Sequence, residues 1–437
     1  MATKSVASKL AIHGGPKAVT LDPGDLFTWP IVTQEDEQAV LDVLRRGAMS
    51  GNDVTKVLEQ EIAAYFGTKY GLGYCNGTAA LLGGMWACGL GVGTELIGPS
   101  LAYWAAVMPA LGLGATLVFA DVLPDTLCID PADVERKITP RTKAILALHN
   151  YGYPCDMDRI MAIAKRHQLM VIEDVSHAQG GLYQGRKLGG IGDIGCMSLM
   201  SGKSLAMGEA GVIVTNNRRL WERAIAFGFY ERTGQSRYAN APSEITEPDL
   251  VRFAGLPLGG FKHRMHQLSS AMGRVQLKHY PQRMGEIDQA MNYFCDGLEG
   301  VPGLRPHRVP KGSGSTMAGW YVPVAHYRPE ELGGLSVDNF CEAVTAEGFA
   351  TAPGVNFPLH LHPLFHEADI YGQGKPTVLA HADRDVRMGK GSLPVSEAVR
   401  DHTLGAPYFK RFRPRLIDQY LAAFRKVAEN APELLSQ

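Results

Sequence analysis

Two acidic residues end an apolar run in Val171-Ile172-Glu173-Asp174-Val175-Ser176-His177, and a lysine among small and hydroxyl residues follows in Ser198-Leu199-Met200-Ser201-Gly202-Lys203-Ser204. A carboxylate at a strand's end serves as a metal ligand, a ribose-binding group, a cofactor partner or a cap for the next helix, so Asp174 alone leaves the chemistry open. A lysine alone is most simply a solvated cation. The pair, about 30 positions apart, is what a pyridoxal phosphate site needs: an amine for the Schiff base and a carboxylate that keeps the pyridine nitrogen protonated. A third cluster, Cys75-Asn76-Gly77-Thr78-Ala79-Ala80, sets small residues at a turn between an apolar run and a helical pattern. Free amides at a helix N-terminus bind phosphate.

The elements that must position these groups alternate. Short apolar runs at Tyr70–Cys75, Glu95–Pro99, Ala115–Val122, Thr142–His149, Leu169–Val175, Cys196–Met200 and Gly211–Asn216 are separated by helix-like stretches such as Thr78–Cys88, Ala102–Leu113, Pro131–Lys137 and Met157–His167. That alternation predicts an α/β fold with a mainly parallel sheet and helices on both faces, and in such sheets ligands gather at the carboxyl ends of the strands. Phe229–Phe261 has no clear period and reads as a long loop. A helical pattern runs from about His266 to Leu298, and strand-like Trp320–Ala325, helical Val337–Glu347 and helical Arg415–Glu429 suggest a smaller α+β part. The expected division is an N-terminal arm over 1–30, a large domain over 31–265 and a small C-terminal domain over 266–437.

The chain has 437 residues, 43 Lys plus Arg against 44 Asp plus Glu, and a formal net charge of -1. This balance argues against a charge-driven role on nucleic acid or an anionic membrane and favours small-molecule partners. Seven widely spaced cysteines without a Cys-x-x-Cys fit a reducing compartment. With no secretory pattern at the N-terminus, the expectation is a cytoplasmic protein. Glycine is in excess, at 50 residues, against a usual share of about 7%.

Taken in order, Asn76-Gly77-Thr78, Pro99 to Ala106, Phe119-Ala120-Asp121-Val122, Ile138 to Ala144, Gly152 to Met157, Ile172-Glu173-Asp174, Ser198 with Lys203, and Gly208-Glu209-Ala210-Gly211 resemble the DegT/DnrJ/EryC1/StrS sugar and keto-cyclitol aminotransferases. These are fold-type I enzymes that use pyridoxal 5′-phosphate. The resemblance implies a cytoplasmic homodimer with active sites at the interface. It implies transfer of an amino group from glutamate or glutamine to a keto-sugar or keto-cyclitol. Position by position, Lys203 becomes the Schiff-base lysine and proton carrier, Asp174 the partner of the pyridinium nitrogen, and His177 a neighbour of the ring. Gly77, Thr78 and Ser198 hold the phosphate, and Tyr103 stacks on the pyridine.

Three departures accompany the match. Gly202 stands where Ser or Thr usually precedes the lysine, Ala210 replaces a glycine, and Lys262 stands where an Asn commonly reaches the partner's phosphate. Lys262 would either replace that contact as a cation or face solvent. His360, in Phe357-Pro358-Leu359-His360, is expected either at the substrate or in a structural role. No metal site is expected, since His360-Leu361-His362 lacks companions at ligand spacing. Gly190-Ile191-Gly192-Asp193-Ile194-Gly195 meets the letter of a dinucleotide fingerprint but runs into a strand, so it reads as a turn. A Ser-His-Asp hydrolase is disfavoured, because no Gly-x-Ser-x-Gly surrounds Ser198. The remaining alternative is a dehydrating, aromatising enzyme of the 3-amino-5-hydroxybenzoate synthase type, which keeps the lysine.

Overall fold

The computed structural model describes residues 9–234, 242–317, 319–354 and 356–435. Part of the expected Phe229–Phe261 loop and the first eight residues of the arm lie outside these. Strands β1 (Tyr70–Tyr74), β2 (Glu95–Pro99), β3 (Thr116–Ala120), β4 (Thr142–Leu148) and β5 (Met170–Asp174) precede a small hairpin of β6 (Leu182–Tyr183) and β7 (Arg186–Lys187). Then come β8 (Ile194–Ser198) and β9 (Gly211–Thr215). All but the hairpin form one sheet in the order β1-β9-β8-β5-β4-β2-β3, in which β9 alone runs antiparallel to its neighbours. Every residue of β2, β3 and β9 is buried, as expected of strands covered on both faces.

The helix Gly77–Ala87 is apolar all round because it lies between the sheet and the outer helix Arg218–Gly228. Its glycines set the depth of that packing: a Cβ on Gly84 would stand 2.5 Å from the Cys196 sulfur of β8. The outer helix, by contrast, is amphipathic and capped by Asn217, whose side chain accepts from the amides of Arg219 and Leu220.

A second core joins Leu10 and Leu26 of the arm to the long helix Gln267–Leu298 and the helices Val337–Ala346 and Pro414–Glu429. It also includes the antiparallel sheet β10 (Leu304–Pro306), β11 (Val324–Tyr327) and β12 (Thr403–Gly405). Buried Glu347 fastens the arm there, accepting the amides of Ala11 (2.8 Å) and Ala18 (2.9 Å) while pairing with Lys426. Residues 359–396 pack the other way, onto the large sheet. Phe365 meets Phe119 edge-on at 5.0 Å, Val378 and Val386 join the cluster of Ile97 and Val118, and the amides of Val395 and Ser396 cap onto Asp121. Packing therefore crosses the boundaries drawn from sequence.

Two elements differ from expectation. Ala102–Leu113 is not one helix but a single turn at Trp104–Ala106 and a short helix at Pro109–Gly112, because Pro109 has no N–H to continue the ladder. The strand expected from Trp320 begins only at Val324, since Trp320 and Val322 both hold φ of 52°. The Gly190 to Asp193 stretch is a turn leading into β8. Among the described residues, no helix is long and apolar enough to cross a membrane.

Candidate active site

Strand alternation separates the two acids that end β5. Glu173 turns to one face, where its carboxylate accepts the amides of Gly189 (2.8 Å), Ile191 (2.8 Å) and Gly192 (2.7 Å) and lies 3.1 Å from His149 Nε2. It is saturated by the fold. Asp174 turns to the other face and lines a cavity of about 410 Å3. One of its oxygens accepts the Ser176 amide at 2.9 Å. Burial pushes the Asp174 carboxyl up, against the pull of the Ser176 bonds and the Lys203 charge.

Lys203 lies in the turn between β8 and β9, with its amide bonded to the Met200 carbonyl at 2.8 Å and its carbonyl accepting the Trp29 indole N–H at 2.8 Å. Its Nζ sits 3.8 Å from the centre of the Tyr321 ring. Burial lowers the amine to about 8, although Asp174 acts to raise it. An amine so placed is in part unprotonated near neutral pH, as a nucleophile or base requires.

His177 is buried against Tyr151 and Tyr321, and its Nδ1 accepts the Tyr151 amide at 3.3 Å. Nε2 therefore carries the ring proton, and burial holds the imidazole neutral. The helix Gly77–Ala87 begins at the same cavity. Asn76 caps it, its Oδ1 accepting from Ala79 (2.8 Å) and its carbonyl from Ala80, which leaves the first amides, on Gly77 and Thr78, for a ligand. This helix end presses on β8 so closely that a Cβ on Gly77 would stand 2.5 Å from the Ser198 Cβ. Only glycine lets the amides and the Ser198 hydroxyl line one wall.

The cavity thus collects Gly77, Thr78, Tyr103, Asp174, His177, Ser198 and Lys203. Tyr103 stands at its mouth, 55% exposed, with its ring tilted against Trp104. Lys262 is exposed and lines no part of this cavity within one chain. His360 is a correction as a substrate ligand: it is buried, its Nδ1 is 2.7 Å from the Ser100 hydroxyl and its Nε2 3.1 Å from Glu397. Both ring nitrogens are taken, and the residue ties the 359–396 segment to the end of β2.

Residues that motif reading passes over complete the wall: Tyr151, Tyr321, Val322 and Asn356, with Trp29 behind Lys203. Tyr151 and Val322 hold φ of 52°, a conformation that β-branched and bulky residues rarely adopt away from functional sites. The one signal in the sequence was the aromatic pair Trp320-Tyr321, which reads equally well as strand.

A carboxylate and a lowered amine in one cavity, with the free amides of a helix start and a hydroxyl on its lining, fit pyridoxal 5′-phosphate. The chain is 30% identical over 396 residues to the spore coat polysaccharide biosynthesis protein SpsC of Bacillus subtilis, covering 87% of this chain and 97% of that one. It is 32% identical over 352 residues to the L-glutamine:2-deoxy-scyllo-inosose aminotransferase of Streptoalloteichus tenebrarius, covering 78% and 80%. Among solved structures, an aminotransferase from Psychrobacter cryohalolentis superposes with a TM-score of 0.79 at 27% identity, over 93% of this chain and 100% of that one. The family model for DegT/DnrJ/EryC1/StrS aminotransferases matches residues 30–404, and the chain belongs to that family.

Proposed function

We propose that this aminotransferase uses pyridoxal 5′-phosphate to move an amino group from glutamine or glutamate to the ketone of a cyclitol or sugar. The observation that carries this reading is the convergence of Asp174 and Lys203 on one cavity that the Gly77 helix end also lines. When bound, the cofactor supplies an electron sink and a transient resting place for the amino group. The chain supplies the rest. Asp174 takes the ring nitrogen, its carboxylate held by Ser176. The Gly77 and Thr78 amides and the Ser198 hydroxyl take the phosphate. Lys203 offers its amine as attachment point and then as the group that lifts and returns a proton at the substrate carbon. His177, neutral and with its proton on Nε2, lines the same cavity and would serve the bound cofactor as a donor.

The choice of acceptor leans on the relatives' names, which include inosose aminotransferases. Lys262 is assigned to the phosphate of a second copy. Its exposure beside exposed Phe261, in a stretch that also exposes Val251, Phe253 and Leu256, supports an interface role. A panel of keto-inositols and nucleotide-linked keto-sugars, each with glutamine or glutamate, tests the reading. Stoichiometric 2-oxo acid with an aminated cyclitol or sugar is the expected result. Dehydration or aromatisation without 2-oxo acid would replace it with the dehydratase reading.

A further inference from the structure

Lys410 is buried, and its ammonium has no hydrogen-bond partner. The carboxylates on the elements around it, Asp25 of the arm and Glu286 of the long helix, are engaged by Arg411 and Arg413. What Lys410 has instead is aromatic: its Nζ stands 4.7 Å from the centre of the Trp29 ring and 2.8 Å from that of Tyr408. Tyr408 is itself fixed by donating its hydroxyl to the Gly319 carbonyl, and the Lys410 amide donates to the Leu26 carbonyl at 2.8 Å. Burial pushes the Lys410 amine down, and the two π faces oppose that shift and hold the charged form, because they favour the cation.

A buried, unpaired amine lowers stability. A methionine of similar length would fill the same space without that penalty, so packing does not explain this lysine. Its neighbour does. Trp29 presents its face to Lys410 and donates its indole N–H to the Lys203 carbonyl at 2.8 Å. A cation over an indole face draws electron density from the ring and makes its N–H a stronger donor. The C-terminal part of the chain thereby reaches the turn that carries the amine in the cavity.

We propose that Lys410 is a positioning residue for Lys203, acting through the face of Trp29 and the bond from its indole N–H. This rests on the reading of Lys203 as the reacting amine. The test compares Lys410→Met, Trp29→Phe and the double variant. With the unpaired amine gone, Lys410→Met melts at least about 2 °C higher, yet its kcat falls about 10-fold with little change in KM. Trp29→Phe loses kcat to a similar degree, and the double variant loses no more than either single one. In cofactor-free protein the Trp29 indole N–H resonance, assigned by its absence in Trp29→Phe, moves in Lys410→Met. A kcat within twofold of the parent, a lower melting temperature, losses that multiply in the double variant, or an unmoved resonance would each overturn the proposal. A Lys203→Ala protein of full activity would overturn the reading of Lys203 itself, while a moved resonance would still uphold the contact.

Discussion

Asp174 and Ser198 end strands β5 and β8, and Gly77 begins a helix, whereas Tyr151 is the left-handed residue of a single 3-10 turn, Tyr321 and Val322 stand on irregular chain, and Trp29 comes from the N-terminal arm. The first group is held by backbone that the sheet determines, and its chemistry follows from where strands end. The second group is held by side-chain contacts and by left-handed backbone at Tyr151 and Val322. The first group is the floor of the cavity and the second its wall; on the proposed function the floor would grip the cofactor and the wall would adjust it. Changes to the floor should therefore abolish turnover, and changes to the wall should tune it.

The largest effect belongs to Lys203→Ala, which removes nucleophile and proton carrier together and should lower turnover by about 10^4-fold or more in a 2-oxo acid assay. Asp174→Asn keeps the shape but not the charge, and a loss on the order of 10^2–10^3-fold in kcat is expected. Tyr321→Leu removes the ring beneath the Lys203 amine, and should cost about 3–30-fold while altering the pH dependence more than cofactor binding. If the Tyr321 change hurt more than the Asp174 change, the division between floor and wall would be wrong. His360→Phe breaks the ties to Ser100 and Glu397. It should lower stability by about 1–3 kcal/mol and leave the kcat of the surviving fold within a small factor.

Lys203 also sharpens the comparison through stability. Its amine is lowered in the folded protein from 10.5 to about 8, so between those pH values the unfolded chain holds a proton that the folded one does not. Stability of the cofactor-free protein therefore rises with pH across that interval, and the burial penalty is full below about 8. Lys203→Met should melt higher than the parent at pH 7, with the difference shrinking toward pH 10.5, as urea or thermal melts across pH would record.

The floor was legible in the sequence because each part is local: a β-run ending in Glu173-Asp174, a turn carrying Lys203, and Asn76-Gly77-Thr78 opening a helix. Which of the two acids enters the cavity follows from strand alternation once the partners of Glu173 are known. The wall was not legible, because Trp29, Tyr151 and Tyr321 meet only through the tertiary fold and share no motif. His360 shows the limit of a motif match. A Phe-Pro-x-His pattern marks the segment but not the side to which the imidazole turns, and here Ser100 and Glu397 claim both nitrogens. Lys262 lies outside the cavity that one chain forms. Segment 359–396 was assigned to the small part by its position in the chain, and Phe365, Val378 and Asp121 place it on the large sheet instead.

The central claim is that Lys203 is the amine that holds the cofactor. Incubation of the protein with pyridoxal 5′-phosphate, reduction with borohydride and mass spectrometry of the peptides tests it directly. A single reduced adduct on Lys203, absent from Lys203→Ala, is the predicted result. An adduct on Lys410 or another lysine, or none at all, would contradict it.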